Sequence, residues 1–173
     1  PQLRPFVIID PRAGHGAGIG GFKSDSQVGV ALRRRHPVYF VIFFRDPEPG
    51  QTILDITAAE GVFLRTIHDL HPQAPKPVVI GNCQGGWAVM MLGAVEPELT
   101  GPLVLNGAPL SYWAGETGKN PMRYLGGLAG GGWPASLMAD LGNGKFDGAN
   151  LVMNFESLSP GNTWFKKYYD LFS

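Results

Sequence analysis

The sequence predicts an α/β fold, a parallel sheet with helices on both faces, and three observations carry that expectation. Four short apolar runs, at 6–9, 38–44, 78–80 and 102–105, lack the polar alternation of one-sided strands, as strands covered on both faces do. The stretches between them carry helix caps and helix-spaced apolar residues. The two kinds of segment alternate along the chain, the order from which parallel crossover units are built.

Taken in turn, Phe6–Ile9 is the first strand, and a glycine-rich stretch from Gly14 to Gly21 follows it. Ser24 or Asp25 caps a helix that runs to about Arg35, where Pro37 stops it. The run from Val38 to Phe44 is rich in β-branched and aromatic residues and reads as the second strand. Loop chemistry from Arg45 to Gly50 leads to Thr52 or Asp55, which open a helix with Ile56, Phe63, Leu64, Ile67 and Leu70 on one face. Pro72, Pro75 and Pro77 end it before the strand Val78–Ile80. Gly85 to Val95 is a helix and Pro102–Leu105 the fourth strand. After Asn106 the alternation stops. Residues 1–106 are expected to form the core, and residues 107–173, with Tyr112, Trp113, Tyr124, Trp133, Trp164 and Phe165 among many glycines, a lid or cap or else an irregular excursion of the same domain.

Bulk properties narrow the class. Of 173 residues 44% are hydrophobic and 16% charged, which excludes a disordered segment. Fourteen basic and fourteen acidic residues balance, so nothing in the charge calls for nucleic acid. The run Arg33–Arg35 closes a predicted helix, where cations are favoured. A single cysteine forms no internal disulfide. No apolar run is long enough to span a bilayer and no leader pattern is visible, so the expected compartment is the cytoplasm. The chain opens on Pro1 and enters a strand almost at once, as a piece of something longer would.

That cysteine carries the chemistry. Gly81-Asn82-Cys83-Gln84-Gly85 has the form G-x-C-x-G and lies directly between an apolar strand and a helix, the setting of a nucleophile elbow. Small residues are needed two before and two after the nucleophile because the chain reverses there. The turn puts the sulfur beside a helix N-terminus, which favours the reactive thiolate. Acyl transfer also needs donors for a developing oxyanion. One is the backbone N–H of Gln84; the second is expected from the loop after the first strand, at Ala13, Gly14, His15 or Gly16. Asn82, Asn106 and Trp87 are candidate substrate contacts, and the spacing calls for no metal or bound cofactor. All four histidines, His15, His36, His68 and His71, precede Cys83, so a base and an acid that complete a triad are expected outside this stretch. A rival reading takes Gly16-Ala17-Gly18-Ile19-Gly20-Gly21 as a dinucleotide-binding G-x-G-x-x-G. Against it, the glycines do not follow the strand at once, and Asp46 lies 30 residues beyond Gly16 rather than about 20.

The elbow after Val78–Ile80, with the Phe44-Arg45-Asp46-Pro47 turn after the second strand, resembles the catalytic domain of polyhydroxyalkanoate synthases and the α/β-hydrolase superfamily. The stretches from Asp10 to Gly16, Gly81 to Trp87, Asn106 to Gly115 and Asn143 to Gly148 are similar to bacterial proteins labelled polyhydroxyalkanoate synthetase-like. The resemblance implies an α/β-hydrolase fold and a cysteine acylated by a 3-hydroxyacyl-CoA, with Cys83 in the nucleophile's place. An esterase or thioesterase would share the acyl-enzyme step and differ in the acceptor. A non-catalytic interaction module on the same fold is the alternative from another class. An Asp and a His after further strands favour the enzyme, and their absence the module.

Overall fold

The computed structural model describes residues 2–11, 17–20, 23–44, 46–108, 110, 133–149, 161, 165 and 169. Phe6–Ile9 forms β1, followed by a one-turn α1 (Ala17–Gly20), α2 (Gln27–Arg33), β2 (Val38–Val41), α3 (Ile53–Leu70), β3 (Val78–Asn82), α4 (Gln84–Val95), β4 (Leu103–Asn106) and α5 (Trp133–Leu141). Compactness divides the chain into one unit of residues 1–112 and another of 113–173. The first holds the sheet. Of the second, the structure describes residues 133–149, with α5 and the turn after it, and the single positions 161, 165 and 169.

The four strands are parallel, in the order β2-β1-β3-β4. From β1 the chain moves outward to β2 through α2, returns past β1 to β3 through α3, then continues outward to β4 through α4. Right-handed crossovers in opposite directions put their helices on opposite faces, and the packing agrees. Val7, Ile9 and Val79 join Leu64 and Ile67 of α3 and Val89 and Leu92 of α4 in one buried cluster, with Tyr39, Val41, Leu103 and Leu105 against it. On the other face Phe6 and Ile80 line a cavity with Val30 and Ala31 of α2. Each fully buried aliphatic side chain contributes roughly 1.5–3 kcal/mol, so the α3–α4 cluster is a major source of stability. The direction of winding reverses between β1 and β3. Open α/β sheets bind ligands beyond the carboxyl ends of the strands at such a point.

Several boundaries differ from expectation, each for a local reason. The cap of α2 is Ser26, not Ser24 or Asp25: it is buried, and its hydroxyl accepts the Gly29 N–H at 3.0 Å. The helix ends at Arg33, and Arg35, at φ 63°, leaves the helical region. β2 stops at Val41 rather than Phe44 because β1, its neighbour in the sheet, ends opposite at Ile9. Beyond that point Ile42 and Phe44 are exposed. In α3 the buried stripe is Thr57, Glu60, Gly61, Leu64 and Ile67, while Phe63 and Leu70 face outward. The contact with α4 sets this rotation. A Cβ on Gly61 would lie 2.5 Å from a Glu96 carboxylate oxygen, and Arg65 forms an ion pair with Glu96 at the end of α4. β4 begins at Leu103, one residue later than expected, and takes in Asn106. Helix α5 falls in the segment expected to be a lid, a cap or an irregular excursion, and Gly142-Asn143-Gly144 terminates it with two positive φ values and a Gly144 N–H to Ala139 C=O bond of 2.8 Å.

Among the described residues no helix is long and apolar enough to cross a membrane.

Candidate active site

A helix normally has its first N–H groups covered by a side chain from the residue that precedes it. Helix α4 departs from this. It starts at Gln84, one residue after β3 ends at Asn82, and the residue between them, Cys83, makes no side-chain capping bond. Cys83 has φ 51° and ψ −119°, a region L-residues rarely adopt and one that costs of order 1–3 kcal/mol. The thiol is half-buried. The elbow expected from G-x-C-x-G is therefore present as backbone geometry: strand, one strained residue, helix.

The surrounding glycines show why the turn needs small residues. A Cβ on Gly81 would lie 2.6 Å from Gly86 Cα and 2.7 Å from the Gly85 carbonyl oxygen. One on Gly85 would lie 2.9 Å from the carbonyl oxygen of Asp10, at the end of β1. One on Gly86 would overlap the Ala108 side chain in the stretch after β4. The start of α4 is thus wedged between the carboxyl ends of β1 and β4. This puts Cys83 at the point where the sheet's winding reverses.

Around Cys83 the backbone is tied to β4. Its N–H donates to the Asn106 carbonyl at 2.9 Å, and its own carbonyl accepts from Gly86 N–H at 3.0 Å. Asn82 and Asn106 are register partners on β3 and β4. Asn82 is 2% exposed, and its amide is fully engaged. Oδ1 accepts from Gln27 Nε2 at 2.8 Å and from Asn106 Nδ2 at 3.0 Å; Nδ2 donates to Gln27 Oε1 at 3.0 Å and toward the Ile9 carbonyl at 3.5 Å. Asn82, expected to touch substrate, has an amide whose two donors and two acceptor positions are all directed at the protein. Asn106 is exposed at the strand end with its Nδ2 turned to Asn82. Gln84 is half-buried at the first position of α4, and Trp87 is exposed one helical turn beyond Cys83.

The expected second oxyanion donors, Ala13, Gly14, His15 and Gly16, lie outside the described residues. So does most of the lid segment. The three other histidines sit away from the elbow. His36 precedes β2, at the amino end of the sheet, with Nδ1 2.8 Å from the Arg4 carbonyl and its ring against Phe6. His71 follows α3 and is 2.6 Å from the Tyr39 hydroxyl through Nε2. His68 is exposed in the last turn of α3. The cavity of about 340 Å³ bounded by Phe6, Ala31, Ile80, Asp25, Arg34 and His36 lies on the α2 face of the sheet rather than at the strand ends. Among the described residues, backbone chemistry locates the site. Among the described residues no cluster of three or more His, Cys, Asp or Glu could hold a metal ion.

Sequence reasoning overlooked the Gln27–Asn82–Asn106 lattice. Its signal was present: Asn82 and Asn106 each end an otherwise apolar strand, and Gln27 directly follows a helix cap.

A family model described as "Protein of unknown function (DUF3141)" matches residues 1–173. A Rhizobium meliloti protein named "Uncharacterized protein in ackA 5'region" is 59% identical over 174 residues, a match covering 100% of this chain and 24% of that protein. The chain thus spans about a quarter of the length of this relative. No solved structure matches it. The resemblance to polyhydroxyalkanoate synthases and the α/β-hydrolase superfamily is corrected by these matches: the family that covers the whole chain carries no such description, nor does the relative. The G-x-C-x-G pattern misled because a tight strand-to-helix turn imposes its glycines on any sequence that makes one, whatever its ancestry.

Proposed function

We propose, for a chain that belongs to the DUF3141 family, that Cys83 accepts an acyl group from an ester or thioester and passes it to a hydroxyl or to water. One observation carries the proposal: a cysteine held at φ 51° and ψ −119° as the only residue between a central parallel strand and a helix. Backbone strain at a non-glycine residue persists only where its surroundings enforce it, and such residues concentrate at functional sites. Strand order, parallel register and helices on both faces are compatible with the finer reading, an α/β-hydrolase type of sheet with its elbow after β3.

The chemistry follows from the placement. The Cys83 thiolate adds to the carbonyl carbon, forming a C–S bond and driving the π electrons onto oxygen. The Gln84 N–H, first of α4 and next to Cys83 in the chain, is the donor assigned to that oxyanion, and the helix dipole favours negative charge there. Re-formation of the carbonyl expels an alkoxide or thiolate, which takes up a proton. The oxygen of a hydroxyl or water then attacks the acyl-Cys83 carbonyl, gives up its proton to solvent, and the C–S bond breaks with the Cys83 thiolate as leaving group.

The test is intact mass of the full-length protein after incubation with butyryl-CoA and, separately, p-nitrophenyl butyrate. The expected result is one butyryl adduct on wild type and none on Cys83→Ala. Absence of an adduct with either donor, on folded protein, would remove the acyl-transfer reading and leave a non-catalytic role for the elbow.

A further inference from the structure

A strained residue needs more than close packing to stay strained: the groups on both sides of it must be fixed. At Cys83 these groups are Asn82, which precedes it, and the Asn106 carbonyl that accepts its N–H. The two are joined to each other through Asn106 Nδ2 and Asn82 Oδ1 at 3.0 Å. They are joined to the opposite layer by Gln27, whose amide makes a two-way pairing with Asn82 at 2.8 and 3.0 Å. Gln27 sits in a tightly packed turn. It is the first residue of α2, behind the buried cap Ser26, and a Cβ on Gly29 in the same turn would already meet the Ser24 carbonyl at 2.5 Å.

We infer that Gln27, Asn82 and Asn106 act as positioning residues that hold the Cys83 turn in its strained, reactive form; the inference rests on the reading of Cys83 as the nucleophile. The lattice connects three elements, α2, β3 and β4, and passes within one residue of the thiol without engaging it. Substrate contact is not its role, because the buried amide of Asn82 has no position left for a ligand. Once Gln27 is removed, Asn82 keeps only Asn106 and the long bond to Ile9, and the turn can relax toward an ordinary backbone conformation. The sulfur then moves relative to the Gln84 N–H. Displacements of about 1 Å in such sites lower rates by as much as a hundredfold.

The full-length Gln27→Met and Asn106→Leu variants test this. Met keeps the length of Gln without its amide, and Asn106 is exposed, so loss of its side chain spares the core if Gln27→Met does not fold. Two rates are read: alkylation of Cys83 by iodoacetamide, and acylation by butyryl-CoA across a concentration series. The expected outcome is a roughly ten- to hundredfold fall in both, with the half-saturating thioester concentration unchanged and thermal unfolding still cooperative. A merely structural loss would not separate maximal rate from half-saturation. Folded variants that alkylate and acylate at the wild-type rate overturn the inference, as does a wild-type thiol no more reactive than free cysteine. If wild type alkylates rapidly yet is never acylated, the acyl-transfer reading fails while the alkylation rates of the variants still decide the lattice.

Discussion

Helices α3 and α4 lie on the same face of the sheet and pack on each other, yet they begin in opposite ways. The connection into α3 runs through residues 42–52 and closes with a reciprocal cap: the Thr52 hydroxyl accepts the Asp55 N–H, and Asp55 Oδ2 accepts the Thr52 N–H at 2.7 Å. Two of the N–H groups that a helix start leaves unsatisfied are thereby covered. The connection into α4 is Cys83 alone, with no side-chain cap. α3 is capped by its own N-terminal side chains; α4 is strained and uncapped by the residue that precedes it. A fold that can cap a helix with Ser26 at α2 and Thr52 at α3 has, at the switch point of its sheet, a thiol where a capping hydroxyl would stand. The uncapped start leaves helix-dipole charge available to an anion.

The largest effect that tests this contrast comes from adding one methyl group at each junction. At Gly81 the new carbon would strike backbone atoms 2.6–2.8 Å away on Gly85 and Gly86, which have no flexible end to give. At Gly50, in the connection before α3, the same carbon meets nothing within 4 Å and faces only a φ of 78°. Gly81→Ala is expected to cost about 3 kcal/mol or more and Gly50→Ala about 1 kcal/mol, read from urea unfolding midpoints. Equal costs at the two positions would erase the distinction between the junctions.

Substitution of the residue that precedes each helix gives a smaller effect of opposite sign. Thr52→Ala removes the cap and is expected to destabilise by about 1 kcal/mol. Cys83→Gly relieves the positive φ and is expected to stabilise by up to about 1 kcal/mol while abolishing any acyl adduct. Stability gained as chemistry is lost marks a strained functional residue. A Cys83→Gly protein that unfolds at lower denaturant than wild type would mean the strain is not what the turn stores.

How much of this was legible in the sequence depended on whether the cause was local. The strands were, because Phe6–Ile9 and Val78–Ile80 are apolar without interruption and a buried parallel strand tolerates nothing else. The elbow was, because Gly81 and Gly85 answer to collisions within the turn itself. The end of β2 was not: Val38 to Phe44 is uniformly strand-like, and what stops it at Val41 is the length of the neighbouring strand. The inward face of α3 was shifted for the same kind of reason, since the face that buries Thr57 and Gly61 packs against Glu96, just past the end of α4. The lattice around Asn82 joins residues 55 and 24 positions apart, and no window on the sequence contains it. Local sterics write themselves into residue types, whereas pairing between distant segments leaves only an unexplained amide at a strand end.

The smallest test concerns acid. Asp55 has its pKa lowered, first by the side-chain hydrogen bond with Thr52 and then by the Thr52 N–H. A carboxyl whose folded-state value lies below its unfolded one binds protons more readily when unfolded. Its contribution to stability is therefore complete above about pH 4 and is lost as the pH falls through the folded-state value. Asp55 is fully exposed, so screening keeps that contribution slight. In Thr52→Ala the Asp55 pKa is expected to move up toward the ordinary aspartate range, observable as the midpoint of its carboxyl ¹³C shift, and the stability of the variant should fall less steeply between pH 4 and pH 2. No cap of this kind stands before α4, so Cys83→Ala is expected to leave the slope in that window as it is in wild type. If Thr52→Ala leaves the Asp55 midpoint where it was, α3 is not held by a reciprocal cap, and the two helix starts differ less than their geometry says.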